Sequence, residues 1–136
     1  MSELEETAIH LFSERPNETA LKQGLLYVRS GQGDHLFKEL LQIAINAGTA
    51  PLKHAMRRFE AIVAGNPELG MYLMGKLYPL AGRSDHDVYN AIELWAHHAR
   101  SSEEAAGIEI AAGEARPRFK KQLVTWAHAI RGRAGS

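Results

Sequence analysis

The sequence predicts an all-α fold of seven or eight short antiparallel helices, stacked as irregular α-α hairpins. Three observations predict it. Apolar residues recur at spacings of three and four along most of the chain. No stretch shows the apolar alternation and β-branched enrichment of a strand. Gly31, Gly48, Gly65 and Gly82 fall seventeen residues apart, at places where a helix needs a left-handed stop.

The elements follow in order. Ser2 with Glu5 forms a capping-box pattern that opens a first helix over about 3–14, and Pro16 stops it. Asn17 caps a second helix to about Ser30, ended by Gly31. Asp34 caps a third, with the stripe Leu36, Phe37, Leu40, Leu41 and Ala44, closed by Gly48. Thr49 caps a fourth with Pro51 in its first turn, and Gly65 closes it. Asn66-Pro67 starts a fifth, which carries Leu69, Tyr72, Leu73 and Leu77 and which Pro79 ends before Gly82. Ser84 with Asp87 opens a sixth, with the stripe Val88, Ile92, Trp95 and Ala99. A weaker seventh helix starts at Ser101 or Ser102, is interrupted by Gly107 and ends near Gly113. Pro117 starts the last, with Phe119, Leu123, Trp126 and Ile130 on one face.

The bulk numbers agree with one small globular domain. The chain has 136 residues, 45% hydrophobic and 24% charged, enough to bury a single core without staples. It contains no cysteine, which excludes disulfides and thiolate metal sites. The first residues are acidic where a secretory signal would be basic and then apolar, and no run is long enough to span a membrane. The expectation is a cytoplasmic protein that does not contact a membrane.

Net charge is zero but unevenly placed. Five acids face Arg15 alone in residues 1–18, and residues 101–114 hold four acids and no base. No acid follows Glu114, whereas Arg116, Arg118, Lys120, Lys121, Arg131 and Arg133 do. This basic end is either a surface for an acidic partner or the pairing face of the acidic segment before it.

Within this frame, local motifs resemble helical repeats. Gly24, Tyr27, Gly31, Leu36, Leu40, Ile43 and Gly48 have the spacing of a tetratricopeptide unit, and Ala55, Phe59 and Pro67 echo its second helix. The stretch Met71 to Tyr78 followed by Gly82 resembles the first helix of a Sel1-like repeat, with Ala91, Leu94, Trp95, His98 and Ala99 matching most of the second, His98 standing where the family prefers alanine. The resemblance covers about residues 17–100 of a single 1–136 domain, and residues 101–136 form C-terminal helices with a basic end. It is irregular: one motif pairs helices two and three, the other pairs five and six, and helix four stands between them. It implies a groove lined by the first helix of each pair. Carried onto this chain, it makes Tyr27, Lys76 and Tyr78 the candidate partner-binding residues, with both tyrosines expected half exposed.

Catalytic and metal signals are sparse. Asp85, His86 and Asp87 cluster at a helix start, and Glu93 with His97 shares a helix face, but a zinc site needs three or four ligands. Arg29 and His35 have a spacing seen in helical ribonucleases, yet Gly31 and Gly33 break the helix between them. Neither a nucleophile turn nor a glycine-rich phosphate cradle is present. No catalytic residue, metal or cofactor is expected. The aromatics Phe37, Phe59, Tyr72, Trp95, Phe119 and Trp126 read as core.

The expected function is a non-enzymatic adaptor, chaperone or assembly subunit that holds a protein partner. The alternative is a small helical subunit of a nucleoprotein complex, of the CRISPR-interference type, touching nucleic acid through Lys53, Arg57, Arg58, Arg116, Arg118, Lys120, Lys121 and Arg131.

Overall fold

In the computed structural model, which describes residues 1–135, the chain forms eight helices and, among those residues, no strand. They are α1 (Glu3–Leu11), α2 (Glu18–Arg29), α3 (Gly33–Asn46), α4 (Pro51–Gly65), α5 (Pro67–Ser84), α6 (His86–His98), α7 (Ser102–Glu114) and α8 (Pro117–Ala134). The all-α class is as the apolar periodicity indicates.

Several caps form where the sequence places them. Ser2 and Glu5 close a capping box on α1, Asn17 accepts from the Ala20 N–H at 2.7 Å, and Asn66 ends α4 while capping α5. Other boundaries differ. The first helix stops at Leu11, short of position 14. Asp34 and Thr49 cap nothing: α3 starts at Gly33 after Gln32, and α4 starts after Ala50, a non-glycine residue at φ 55°. The α6 cap is Asp85, whose carboxylate takes the Val88 N–H, and not Ser84. Pro79 does not end α5, which runs through it to Ser84. Gly107 does not interrupt α7.

The four equally spaced glycines therefore divide in two. Gly31 and Gly48, at φ 86° and 137°, are stops after α2 and α3. At Gly31 the Gln32 N–H bonds back to the Tyr27 carbonyl at 2.8 Å, which reverses the chain into α3. Gly65 is the last residue of α4, and Gly82 lies inside α5.

At the centre is α5. Eleven of its eighteen residues are buried, among them Leu69, Met71, Tyr72, Leu73, Met74 and Leu77, so its first three turns are packed by neighbours on most sides, while its last turn, Gly82 to Ser84, is exposed. Two glycines set the approach of α5 and α7. A Cβ on Gly107 would overlap the Glu68 carbonyl oxygen and lie 2.8 Å from the Tyr72 nitrogen, and one on Gly75 would lie 2.7 Å from the Ala111 Cβ. Gly107 sits by Glu68 and Tyr72, and Ala111 by Gly75, so the two helices run parallel at close range. Helix α4 runs antiparallel to α5, with Val63 against Gly70 and Lys53 near Asp85. Helix α8 folds back along α7 until Arg131 grips Glu109 through two bonds of 2.6 Å. Arg133 then reaches the Ala96 and Ala99 carbonyls at 2.7 and 2.9 Å, which satisfies the open end of α6.

Candidate functional site

Helix α5 turns two charged side chains, Lys76 and Arg83, toward one cleft. Helix α5 places Tyr72, Lys76, Leu80 and Arg83 on one face through spacings of four, four and three. The Lys76 Nζ donates to Asp34 on α3 at 2.9 Å and to Glu114 on α7 at 3.1 Å. The Tyr72 hydroxyl donates to the same Glu114 oxygen at 2.6 Å, and Lys38 holds the other oxygen of Asp34 at 2.9 Å. One polar chain thus ties three helices together across the end of the cleft. Gly33 admits it: a Cβ there would overlap the Tyr72 hydroxyl.

Burial first, and then Glu114, raises the Tyr72 pKa well above that of a free phenol, so the hydroxyl remains a donor. The Lys76 ammonium, more than burial opposes it, lowers the Asp34 pKa below its ordinary 3.8. Arg131 does the same to Glu109, ordinarily 4.5. A carboxylate with a depressed folded pKa adds stability above its unfolded pKa, and that stability is lost as pH falls through the folded value. Urea unfolding midpoints are accordingly expected to be level near neutrality and to fall below about pH 4. In Asp34→Asn the fall should be smaller than in the parent, and equal falls would remove Asp34 from this role.

Beside the Lys76 chain lies a groove of about 350 Å³. Phe37 and Leu41 of α3 form one wall, and Gly75, Pro79 and Leu80 of α5 the floor. Ala111 and Ala115, with Phe119 at the start of α8, form the other wall. The recess has a local cause. Gly75 contributes no side chain, and Pro79 cannot donate to the Gly75 carbonyl, so the helix ladder is one bond short at the floor. Lys38, Arg83 and Arg116 stand around the rim. Its volume is near the lower end of the roughly 300–1,000 Å³ typical of clefts that take a ligand or side-chain cluster.

Of the three residues carried over from the repeat resemblance, Lys76 lines this groove. Tyr27 is half-buried against the core elsewhere, on α2. Tyr78 corrects an expectation: it is 2% exposed, not half exposed. It stacks on Tyr89 at 4.4 Å between ring centres and meets Trp126 edge-on at 4.6 Å, which makes it a core aromatic. Burial is the first cause of its raised pKa.

The basic candidates scatter. Lys53 lies 3.8 and 3.7 Å from Asp85 and Asp87, and Arg58 sits over the Phe12 ring at 5.6 Å. Arg131 is committed to Glu109, the pairing of the basic end with the acidic segment before it. Arg118 lies over the Phe119 ring at 5.3 Å. Arg57, Arg116, Lys120 and Lys121 are exposed and make no ion pair among the described residues. Among the described residues no three His, Asp or Glu side chains converge as metal ligands would, and no helix is long and apolar enough to cross a membrane.

Sequence reasoning missed Arg83, Leu41, Leu80 and the carboxylates Asp34 and Glu114 as groove residues. The signal for the first and third was the i, i+4, i+8, i+11 row from Tyr72, which shows only if α5 runs through Pro79.

Comparison with protein-family models, with curated proteins and with solved structures finds no match.

Proposed function

We propose that this chain is a non-enzymatic helical interaction module, of the kind the tetratricopeptide and Sel1-like resemblance implies, and that the groove between α3, α5 and the start of α8 seats a segment of a protein partner. One observation carries the reading. Leu41, Pro79, Leu80 and Phe119 form an apolar recess with cations on its rim, while the titratable groups at its end are bonded to one another. An apolar floor with a polar rim is the arrangement by which a partner's side chains are anchored and oriented. The absence of cysteine is in keeping with a cytoplasmic setting.

The test is a substitution on the floor. Peptides of about sixteen residues, long enough to lay a helical turn pattern along a groove, are selected from a displayed random library on the full chain. Leu80→Glu puts a carboxylate on the half-buried floor and should weaken the selected peptides at least about tenfold, as loss of a central anchor does. Its helical circular dichroism should match the parent. Unchanged binding by Leu80→Glu, and likewise by Leu41→Glu, would place the contact surface elsewhere.

A second reading rests on its own observation. Arg116, Lys120 and Lys121 lie within two turns of one another, exposed and, among the described residues, without ion pairs. They could track phosphates, and such binding would weaken steeply with salt. No retention of single-stranded RNA or duplex DNA at low salt would end that reading.

A further inference from the structure

The charge around the groove is not balanced, and the imbalance has a definite place. Two carboxylates line it, Asp34 and Glu114, and both are already held by Lys76, with Lys38 and the Tyr72 hydroxyl as further partners. Four cations line it, and two of them, Arg83 and Arg116, have no carboxylate within ion-pair distance among the described residues. Arg83 extends from the last turn of α5, and Arg116 is the N-cap residue of α8 across the groove. No side chain caps α8, so the positive end of that helix adds to the field of Arg116.

We infer that the segment this groove accepts is acidic: an apolar stripe for the floor, flanked by aspartate or glutamate side chains that pair with Arg83 and Arg116. The inference rests on the docking reading of the same groove. A segment that covers the floor also removes water from the two guanidinium groups beside it. A cation left without a partner there is costly, whereas a carboxylate meets the planar fork with two parallel hydrogen bonds. A basic segment would be repelled by the two unpaired cations and find both native carboxylates occupied. The floor favours a peptide over nucleic acid. Leucine and proline side chains offer no flat stacking platform, and Phe119, the aromatic at the α8 wall, has Arg118 over its ring at 5.3 Å.

The test uses the same random peptide library, displayed and selected on the full chain at about 0.15 M salt. Recovered sequences should carry a net acidic charge with apolar residues at helical spacing. Their affinity should fall about tenfold or more in Arg83→Glu/Arg116→Glu, whose two side chains are exposed, so that the fold should be kept. Selection on that double variant should return basic sequences. Neutral or basic sequences recovered on the parent, and lost on Leu80→Glu, would overturn the charge inference and leave the groove reading standing. Sequences indifferent to Leu80→Glu would overturn the groove reading itself, and an empty selection would overturn both. A labelled single-stranded RNA whose salt-sensitive binding vanishes in the double arginine variant, and which no selected peptide displaces, would replace the peptide by nucleic acid.

Discussion

Replacing Gly107 by alanine is expected to destabilise the protein by about 3 kcal/mol, at the upper end of what one added methyl does in a packed interior. The added Cβ would overlap the Glu68 carbonyl oxygen and crowd the Tyr72 nitrogen and the Glu68 carbonyl carbon, all of them backbone atoms of the central helix. A flexible side chain could turn aside, but backbone cannot. Helix α7 must instead move off α5, which also draws Glu114 away from Tyr72 and Lys76. The intrinsic helix preference of alanine, which favours it over glycine by about 1 kcal/mol, is outweighed. Gly113 on the same helix is the control, because a Cβ there meets nothing within 4 Å. Gly113→Ala should be neutral or stabilising by up to about 1 kcal/mol. Urea denaturation followed by circular dichroism reads both. Equal effects at the two positions would show that close approach of α7 to α5 is not what Gly107 provides.

The second large effect is expected at Lys76. Its side chain is 14% exposed and stands between Asp34 and Glu114. Lys76→Met keeps most of the aliphatic stem and removes the charge, so Glu114 loses its cation and faces Asp34, which keeps only Lys38, across the gap. Loss of hydrogen bonds to charged groups sets the scale, about 1.5–3 kcal/mol near neutral pH. The pH dependence separates charge from packing. The parent's Asp34 titrates low because Lys76, first among its partners, stabilises the charged form. In the variant the two carboxylates repel, and protonation relieves them. The gap between parent and variant should narrow as pH falls through the carboxylate range and stay constant above it. A gap independent of pH would mean that Lys76 acts through its methylenes alone. Tyr72→Phe, which removes only the hydroxyl donor to Glu114, should cost less than Lys76→Met.

How far the sequence carries is clearest on α5 and α7. Apolar spacing and the Asn66-Pro67 start are local signals, and they identify both the fold class and the beginning of α5. Pro79 is also a local signal, and it misleads. Proline interrupts one ladder bond and strains one turn, but a helix whose turns before it are buried, and which buries Ala81 beyond it, runs on for another five residues. Gly107 misleads in the same way. Its helix cost is local and visible, whereas the reason for it, contact with the Glu68 and Tyr72 backbone some forty positions away, is tertiary. The Pro79 misreading hid the C-terminal part of the groove floor and rim, since Leu80 and Arg83 lie beyond it. Asp34 shows the complementary error: a residue type that caps helices is present at a helix start, but its carboxylate is drawn to Lys76 and Lys38 instead. Tyr78 looked amphipathic enough for a surface, and only the arrangement of Tyr89, Phe119 and Trp126 around it buries the ring.

On the proposed reading, the groove and no other face receives a partner segment. At 15.0 kDa the chain suits amide-resolved NMR. The most direct measurement is a titration of the isotope-labelled chain with the tightest peptide from the library. Shift changes are expected at Lys38, Leu41, Lys76, Leu80, Arg83, Arg116 and Phe119, with α1 and the exposed Leu26 and Leu94 undisturbed. Changes centred on Leu26 or Leu94, with the groove residues unmoved, would contradict it.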